Sequence, residues 1–461
     1  MHKHSLIWVL IFGVIALMFL HLPQMAAKQD AVLNTYSSLV EVDALAKQKF
    51  VEPIEGNRLV DGAIRGMLLQ LDPYSGYIAP GELPAFERRA SGDYIGVGIV
   101  VGVRNEKLTV IAPIEGSPAA KAGALPGDVI LSIDGRDTEG LSVFDVEELL
   151  LGGLPGTTLR LRVSHEGDEE PECLTIARGP VNMRTVRGFR RNASTGWNYM
   201  IDPANRIGYI RVSNFLHNTM RDFDAAIRDL KSQGLRGLII DLRFNPGGLM
   251  HQAVAMVDRF ADGGIILSTV TRRKAVRQYL ATQRMTLTDV KLAVLVNAAS
   301  ASAAEIVAGS LQACDRALIV GERSFGKGSV QHLIYLTESK GAVKLTTAYY
   351  RLPDGRIIHR TKKNAQTDSW GVIPDINFAL SDEEKHAIQE SRRALDSAFT
   401  ESASVSNGSD TSCQRPGESG VSELLRDRQL LEALSRLRER IDNTRTATRR
   451  SQAIVAPRSG P

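Results

Sequence analysis

The chain has 461 residues, 43% of them apolar, and a formal net charge of +4, which suggests two to four structural units with enough apolar content for sizeable cores. Residues 421–461 hold nine arginines against five acids, a surplus equal to the net charge, so the remainder is balanced. A balanced body argues against nucleic acid as the main partner, and leaves only the tail to touch anionic lipid or an acidic partner.

In chain order, Leu6 to Leu20 are uncharged and mostly bulky, with Lys3 before them. This is the pattern of an export signal or a single spanning anchor, and it places the bulk of the protein outside the cytoplasm. Gln24, Met25, Ala26 and Ala27 make a poor cleavage site, which tilts the reading to an uncleaved anchor with a short cytoplasmic N-terminus. Residues 36–80 read as helical, with recurring apolar positions at Leu45, Phe50, Leu59, Ala63, Met67 and Leu71.

Residues 90–180 form a distinct module. Tyr94, Ile95, Gly96, Val97 and Gly98 open it, followed by strand-like runs at Ile99 to Val103 and Leu108 to Ile111. Two turn-rich blocks come next, Ser117 to Gly123 and Gly127 to Gly135. A helix at Val143 to Leu151 and a strand at Thr158 to Val163 complete it. From residue 206 strands and helices alternate. Strands are predicted at Ile207 to Val212, Leu235 to Leu242, Ile265 to Val270, Leu292 to Val296 and Ala317 to Val320. Helices are predicted at Thr219 to Lys231, Leu249 to Phe260 and Ala303 to Gln312. Alternation of this kind implies βαβ units. The tail reads as a helix over about Ser422 to Asp442 and a disordered end. Cys173, Cys314 and Cys413 lack metal-ligand spacing, no zinc signature is present, and neither a metal nor an organic cofactor is implied.

Two glycine- and serine-rich blocks sit at strand ends. The first, Asp241-Leu-Arg-Phe-Asn-Pro-Gly-Gly248, can bring backbone N–H groups toward a substrate carbonyl; a glycine-rich strand-to-helix turn, common in α/β proteins, is the plainer reading. The second runs through Ser300-Ala-Ser302-Ala-Ala-Glu305 to Phe325-Gly-Lys327-Gly-Ser-Val-Gln331. Serine needs a base beside it, and lysine serves as one only when neutral, a form that burial favours. Ser302 lies where a strand turns into a helix, where unpaired N–H groups and the helix dipole favour an anion. An N-cap serine and a solvated lysine turn are the plainer reading. His251 and His332, nearest in sequence to these blocks, offer a Ser-His alternative. Residues 321–327 also fit the opening of a phosphate-binding loop, but Gly328 stands where magnesium needs Ser or Thr, and Val330 to Leu336 read as extended rather than helical.

These residues resemble the C-terminal processing peptidases, or tail-specific proteases, and further blocks agree: Leu71-Asp-Pro-Tyr-Ser-Gly-Tyr77, Tyr349-Tyr350, Asp354-Gly355-Arg356 and Gly371-Val-Ile-Pro-Asp375. The likeness spans roughly residues 35 to 440. It departs at Tyr74, where His is frequent, and at Ala304, where a third serine is usual. The resemblance implies Ser302 as nucleophile, Lys327 as general base and Gln331 as the residue that orients the lysine. It assigns the oxyanion hole to the N–H groups of Gly248 and Ala303, with Gly247 supporting the turn. The module at 90–180 resembles a PDZ domain, whose glycine loop, here Tyr94 to Gly98, captures a chain-terminal carboxylate while the chain adds as a strand. The implied fold is α/β multidomain, a crotonase-like (ClpP-like) core with an inserted PDZ domain and a helical N-terminal region. The expected divisions are 1–27 signal or anchor, 28–88 helical region, 89–180 PDZ domain, 181–385 peptidase core, and 386–461 C-terminal helix and basic tail. The expected activity is that of a serine endopeptidase acting on proteins with exposed C-terminal tails. Partners implied are those substrates, an adaptor protein, the membrane through the N-terminal segment, and a second copy, which residues 36–80 often meet in this family. A catalytically dead PDZ adaptor and a nucleotide hydrolase are the alternatives.

Overall fold

The computed structural model describes residues 36–54, 56–91, 93–104, 107–139, 141, 146, 149–150, 153–165, 170–192, 196–282, 286–367, 369–404 and 426–455. The expected signal or anchor and Cys413 lie outside the described residues, as does most of the helix expected at Val143 to Leu151. No helix among the described residues is long and apolar enough to cross a membrane. The chain divides into two compact units, one of the residues up to Ala79 with Leu333–Leu345, the other of Pro80–His332 with the residues from Thr346 on.

The first unit holds helices α1 (36–49) and α2 (Arg58–Leu69) and strand β1 (Gly76–Ile78), which pairs antiparallel with the start of β21 (Ala342–Arg351). The recurring apolar positions are largely not covered: Leu45, Phe50, Met67 and Leu71 are exposed, as are Tyr36, Leu39, Val40 and Val42. The periodicity is helical as expected, but the described residues supply little for it to pack on.

The second unit opens with α3 (Leu83–Ser91) and a small β module. Strand β2 (Asp93–Gly96) pairs with β9 (Gly179–Asn182), and closes the module where the chain enters and leaves it. Between them β3 (Ile99–Arg104), β4 (Lys107–Pro113), β5 (Val129–Ile133), β7 (Thr158–Ser164) and β8 (Glu172–Ala177) form a sheet in that order. The short β6 (Arg136–Asp137) pairs with β5 and the one-turn helix α4 (Pro118–Lys121) follows β4. β7 alternates exposed and buried residues, with Leu159, Leu161 and Val163 turned to a core shared with Ile130, Val146 and Leu150. Period-2 patterning is what a strand with one buried face requires.

Beyond it come β10 (Val186–Arg187), a hairpin of β11 (Arg190–Asn192) and β12 (Gly196–Asn198), and β13 (Met200–Asp202). A central sheet then runs parallel through β14 (Ile207–Val212), β15 (Gly237–Asp241), β18 (Lys291–Val296), β19 (Ala317–Gly321) and β22 (Ile376–Asn377). β10 and β13 pair antiparallel with β14. Its strands are buried on both faces, as parallel strands are. Ile210, Leu238, Leu292 and Ile319 face α5 (Thr219–Ser232), α6 (Met250–Asp258) and α7 (Ala303–Ala313). Tyr209, Ile239, Ala293 and Leu318 face the opposite side. There Leu430, Ala433, Leu434, Leu437 and Ile441 of the long helix α9 (Arg428–Val455) cover them at three- and four-residue spacing.

Two expectations are corrected. The strand at 265–270 forms as β16 (Ile265–Thr271), but outside the parallel sheet. It pairs antiparallel with β17 (Val276–Leu280) and with residues 348–351. A tight turn with Lys274 at φ 58° and N–H bonds from Lys274 to Thr271 and from Thr271 to Ala275 folds it straight back. That short-range closure wins over a βαβ crossover. The tail helix also runs beyond the expected Asp442, because α9 continues to Val455; α8 (Asp382–Ser404) precedes it.

Candidate active site

Gly247 and Gly248, Ser302 and Lys327 follow the carboxyl ends of the parallel strands β15, β18 and β19, where open α/β sheets place their ligands. After β15 the chain turns through Asn245 and Gly247. Asn245 Nδ2 donates to the Val212 carbonyl at the end of β14, and Asn245 Oδ1 accepts from Gly247 N–H at 2.8 Å. After β18, Asn297 Oδ1 accepts from Phe244 N–H, and Ser300 Oγ donates to the Leu242 carbonyl. The ends of β14, β15 and β18 are thus pinned to one another by short polar side chains.

Ser302 is the N-cap of α7, half-buried, with φ 55° and ψ −114°. A non-glycine residue in that region stores strain on the order of 1–3 kcal/mol and persists only where its surroundings dictate it. Glu305 does much of the dictating. It is fully buried, and its carboxylate accepts from Ser302 N–H (2.8 Å), Lys327 N–H (2.7 Å), Gly326 N–H (2.7 Å) and Ser324 Oγ. The Ser302 and Lys327 nitrogens bond the same oxygen, Oε2, so they lie no farther apart than those two contacts allow. Burial pushes the Glu305 carboxyl up, against the pull of Ser324 and the three N–H donors. Tyr350, fully buried, spans the same two residues from the other side: its hydroxyl lies 3.1 Å from the Ser302 carbonyl and also donates to the Lys327 carbonyl.

Lys327 is half-buried on a turn held closely by residues 358–360. A Cβ at Gly328 would meet His359 N at 2.6 Å, so only glycine allows this approach. Gln331, on β20 (Ser329–Tyr335), donates its Nε2 to Ser329 Oγ and Thr346 Oγ1. Gly248 forms a parallel bridge with Phe215 that uses the Gly247 carbonyl and the Leu249 N–H. Its own N–H therefore points away from Phe215. Ala303 is the first helical residue and its N–H has no intrahelical partner. Gly247 joins the two segments: a Cβ there would meet Ser302 Cβ at 2.7 Å and Ala303 N at 2.9 Å.

His332 is exposed and turned to Thr347 Oγ1, while the exposed His251 packs against His217 with ring centroids 5.7 Å apart. The segment that ends in Lys327 leads into β20, not a helix, which removes the phosphate-loop reading. In the β module, Tyr94, Ile95 and Gly96 pair in β2 with Val181, Pro180 and Gly179, while Val97 and Gly98 make the turn. The Val97 carbonyl accepts from Ala119 N–H, and the Gly98 carbonyl from Ile114 N–H and Ser117 Oγ. β3 is the end strand of its sheet.

Neither Glu305 nor Tyr350 stood out as a site residue in the sequence. Glu305 left a signal, because Ser302-x-x-Glu305 has the spacing of a capping box. Tyr350 falls in the Tyr349-Tyr350 block of the resemblance, but nothing local tied it to the site, since its partners are 48 and 23 residues away.

The chain is a serine-type peptidase. Residues 206–378 match the model of peptidase family S41, residues 109–164 that of the PDZ domain, and residues 20–80 that of the activating protease CtpB N-terminal domain. The carboxy-terminal-processing protease of Bartonella bacilliformis is 36% identical over 74% of this chain and 75% of its own. Carboxy-terminal processing protease CtpA of Bacillus subtilis is 32% identical over 73% and 67%. Among solved structures, photosystem II D1 C-terminal processing protease is 31% identical, covering 72% of this chain and 84% of that one with a TM-score of 0.43. The chain belongs to peptidase family S41, among the PDZ-bearing C-terminal processing serine proteases.

Proposed function

We propose that the protein is an endopeptidase that captures protein C-terminal tails on its PDZ domain and cleaves with Ser302 and Lys327. The observation that carries this reading is the buried Glu305 carboxylate, which draws the backbones of both residues to one oxygen. In its neutral form Lys327 takes the hydroxyl proton as Ser302 attacks the peptide carbonyl. The N–H groups of Gly248 and Ala303 hold the oxyanion. Lys327 protonates the leaving amine, and water then hydrolyses the acyl-enzyme. Gln331, whose Nε2 is held by Ser329 and Thr346, orients the lysine. A dead adaptor is not favoured, since serine, lysine and glutamine are all retained. The tail adds to the edge of β3 with its carboxylate at the Tyr94 to Gly98 loop.

The peptidase core is crotonase-like, with division boundaries at 27, 88, 180 and 385. The protein is anchored or exported to the extracytoplasmic side by residues 6–20, and the exposed apolar residues of α1 and α2 meet a second copy.

Tail recognition is tested by cleavage of a protein with an apolar C-terminus, free or amidated. Amidation is expected to lower kcat/KM about tenfold or more, the worth of a charge-assisted hydrogen bond. Equal cleavage of both forms would reject it. Gly247→Ala is a second test. The added methyl has no room beside Ser302 and Ala303, and φ there is 103°. A shift of the loop by about 1 Å is expected to cost about 10²-fold in kcat with KM little changed. Wild-type kcat would remove Gly247 from the site.

A further inference from the structure

We propose that the cavity lined by Arg187, Arg211, Ser213, Arg243, Arg392 and Asp396 binds a small oxyanion, which ties α8 to the sheet behind the glycine loop. The cavity measures about 210 Å³ and lies at the ends of β10 and β14, against α8. That is about seven water volumes at roughly 30 Å³ each, and below the roughly 300 Å³ where pockets for drug-sized ligands begin. One phosphate, sulfate or carboxylate with a few waters fits; a nucleotide does not.

Charge calls for an anion. The guanidinium groups of Arg187, Arg211, Arg243 and Arg392 share three carboxylates. Asp396 serves Arg187 at 3.2 Å and Arg211 at 2.5 Å, Asp241 serves Arg243 and Arg392, and Asp427 serves Arg243. One positive charge is left over. The nearby Glu115 is held by both terminal nitrogens of Arg191. A buried lysine or histidine would shed its proton, but a guanidinium cannot. Burial, with Arg211 and Arg191 close by, pulls the Arg187 pKa down even against Asp396 and Glu115.

Geometry supplies the donors. Arg392 is 5% exposed and its Nε has no hydrogen-bond partner. Arg187 Nε is likewise buried without one, because its approach to Asp396 lacks the alignment of a hydrogen bond. Both nitrogens lie out of reach of water, so an oxyanion in the cavity takes its charge-assisted bonds from them only as the two arginine side chains turn toward it.

The site uses neither Ser302 nor Lys327, so its test is independent of the proposed catalysis. The full chain is unfolded thermally at constant ionic strength, with chloride exchanged for phosphate, for sulfate, or for an N-acetylated dipeptide whose only anion is its terminal carboxylate. A saturable rise of about 2–4 °C is expected with phosphate and sulfate. It is lost in Arg187→Gln and kept in Arg221→Gln, whose arginine is exposed and is not among the lining residues. A rise with the dipeptide alone upholds the oxyanion site and names a chain end as its source. No saturable effect of any of the three, or an effect retained in Arg187→Gln, overturns the proposal. If Arg187→Gln does not fold, phosphorus NMR of phosphate with the wild-type chain decides: line broadening reversed by sulfate supports the site, and its absence overturns it.

Discussion

Replacing Ser302 by alanine is expected to lower kcat for peptide cleavage by about 10⁴-fold or more, and Lys327→Met by a similar factor, with KM little changed in each. The reason lies in what the two side chains do together. A serine hydroxyl without a base is a poor nucleophile, and a base without the hydroxyl has no proton to take. The double replacement is therefore expected to be no worse than the more damaging single one, as for groups that act as one unit. Glu305 and Tyr350 hold the backbones of positions 302 and 327 in both variants, so thermal unfolding should stay near wild type while activity falls. The measurement is steady-state cleavage of one protein substrate by the wild type and three variants. Additive losses would mean that Lys327 does not serve Ser302. Full activity in Ser302→Ala would end the dyad reading.

Much of the fold was legible because its signals are local. β14 occupies Ile207–Val212, as its apolar run predicts, and α5 and α7 begin at Thr219 and Ala303 as expected. In β18 the residues 292, 294 and 296 join one core and 293 and 295 the other, a period-2 division inside a run that is apolar throughout. Pairing was less legible, because it depends on partners distant in sequence. β16 has the composition of a parallel strand, yet its turn at Lys274 and its bonds to residues 348–351 take it into another sheet. The same limit applies to the site. The blocks around Ser302 and Lys327 stand out by their small residues and glycines, while the buried groups that bind them, Glu305 and Tyr350, look in sequence like an ordinary helix acid and a strand aromatic. The clearest case is Asp427, which contacts Arg243 across 184 positions with no motif to mark it.

Arg243→Met is expected to destabilise the fold by about 3–5 kcal/mol, the loss found when one partner of a buried ion pair is removed. Arg243 is 1% exposed in its side chain, and holds Asp241 through Nε and Nη2 and Asp427 through both terminal nitrogens, at 2.6 to 3.1 Å. Asp427 in turn is the residue before α9 and accepts from Leu430 N–H, so the arginine anchors the start of the helix that covers one face of the sheet. Without it two carboxylates stay buried, Asp241 keeping Arg392 and the Tyr209 hydroxyl, and Asp427 losing its cation. The pH dependence follows. Burial alone would raise the Asp241 carboxyl, but Arg243 and then Arg392 outweigh it and hold the group well below the usual carboxylate range. A depressed carboxyl stabilises the fold above its unfolded pKa of about 3.9 and loses that contribution as pH falls toward the folded value. The gap between wild type and Arg243→Met should thus be full at pH 7 and shrink below about pH 4 as the unfolded chain takes up protons. Urea unfolding at both pH values measures it. A loss under about 1 kcal/mol at pH 7 would show that the apolar stripe of Leu430, Leu434, Leu437 and Ile441 docks α9 without the arginine.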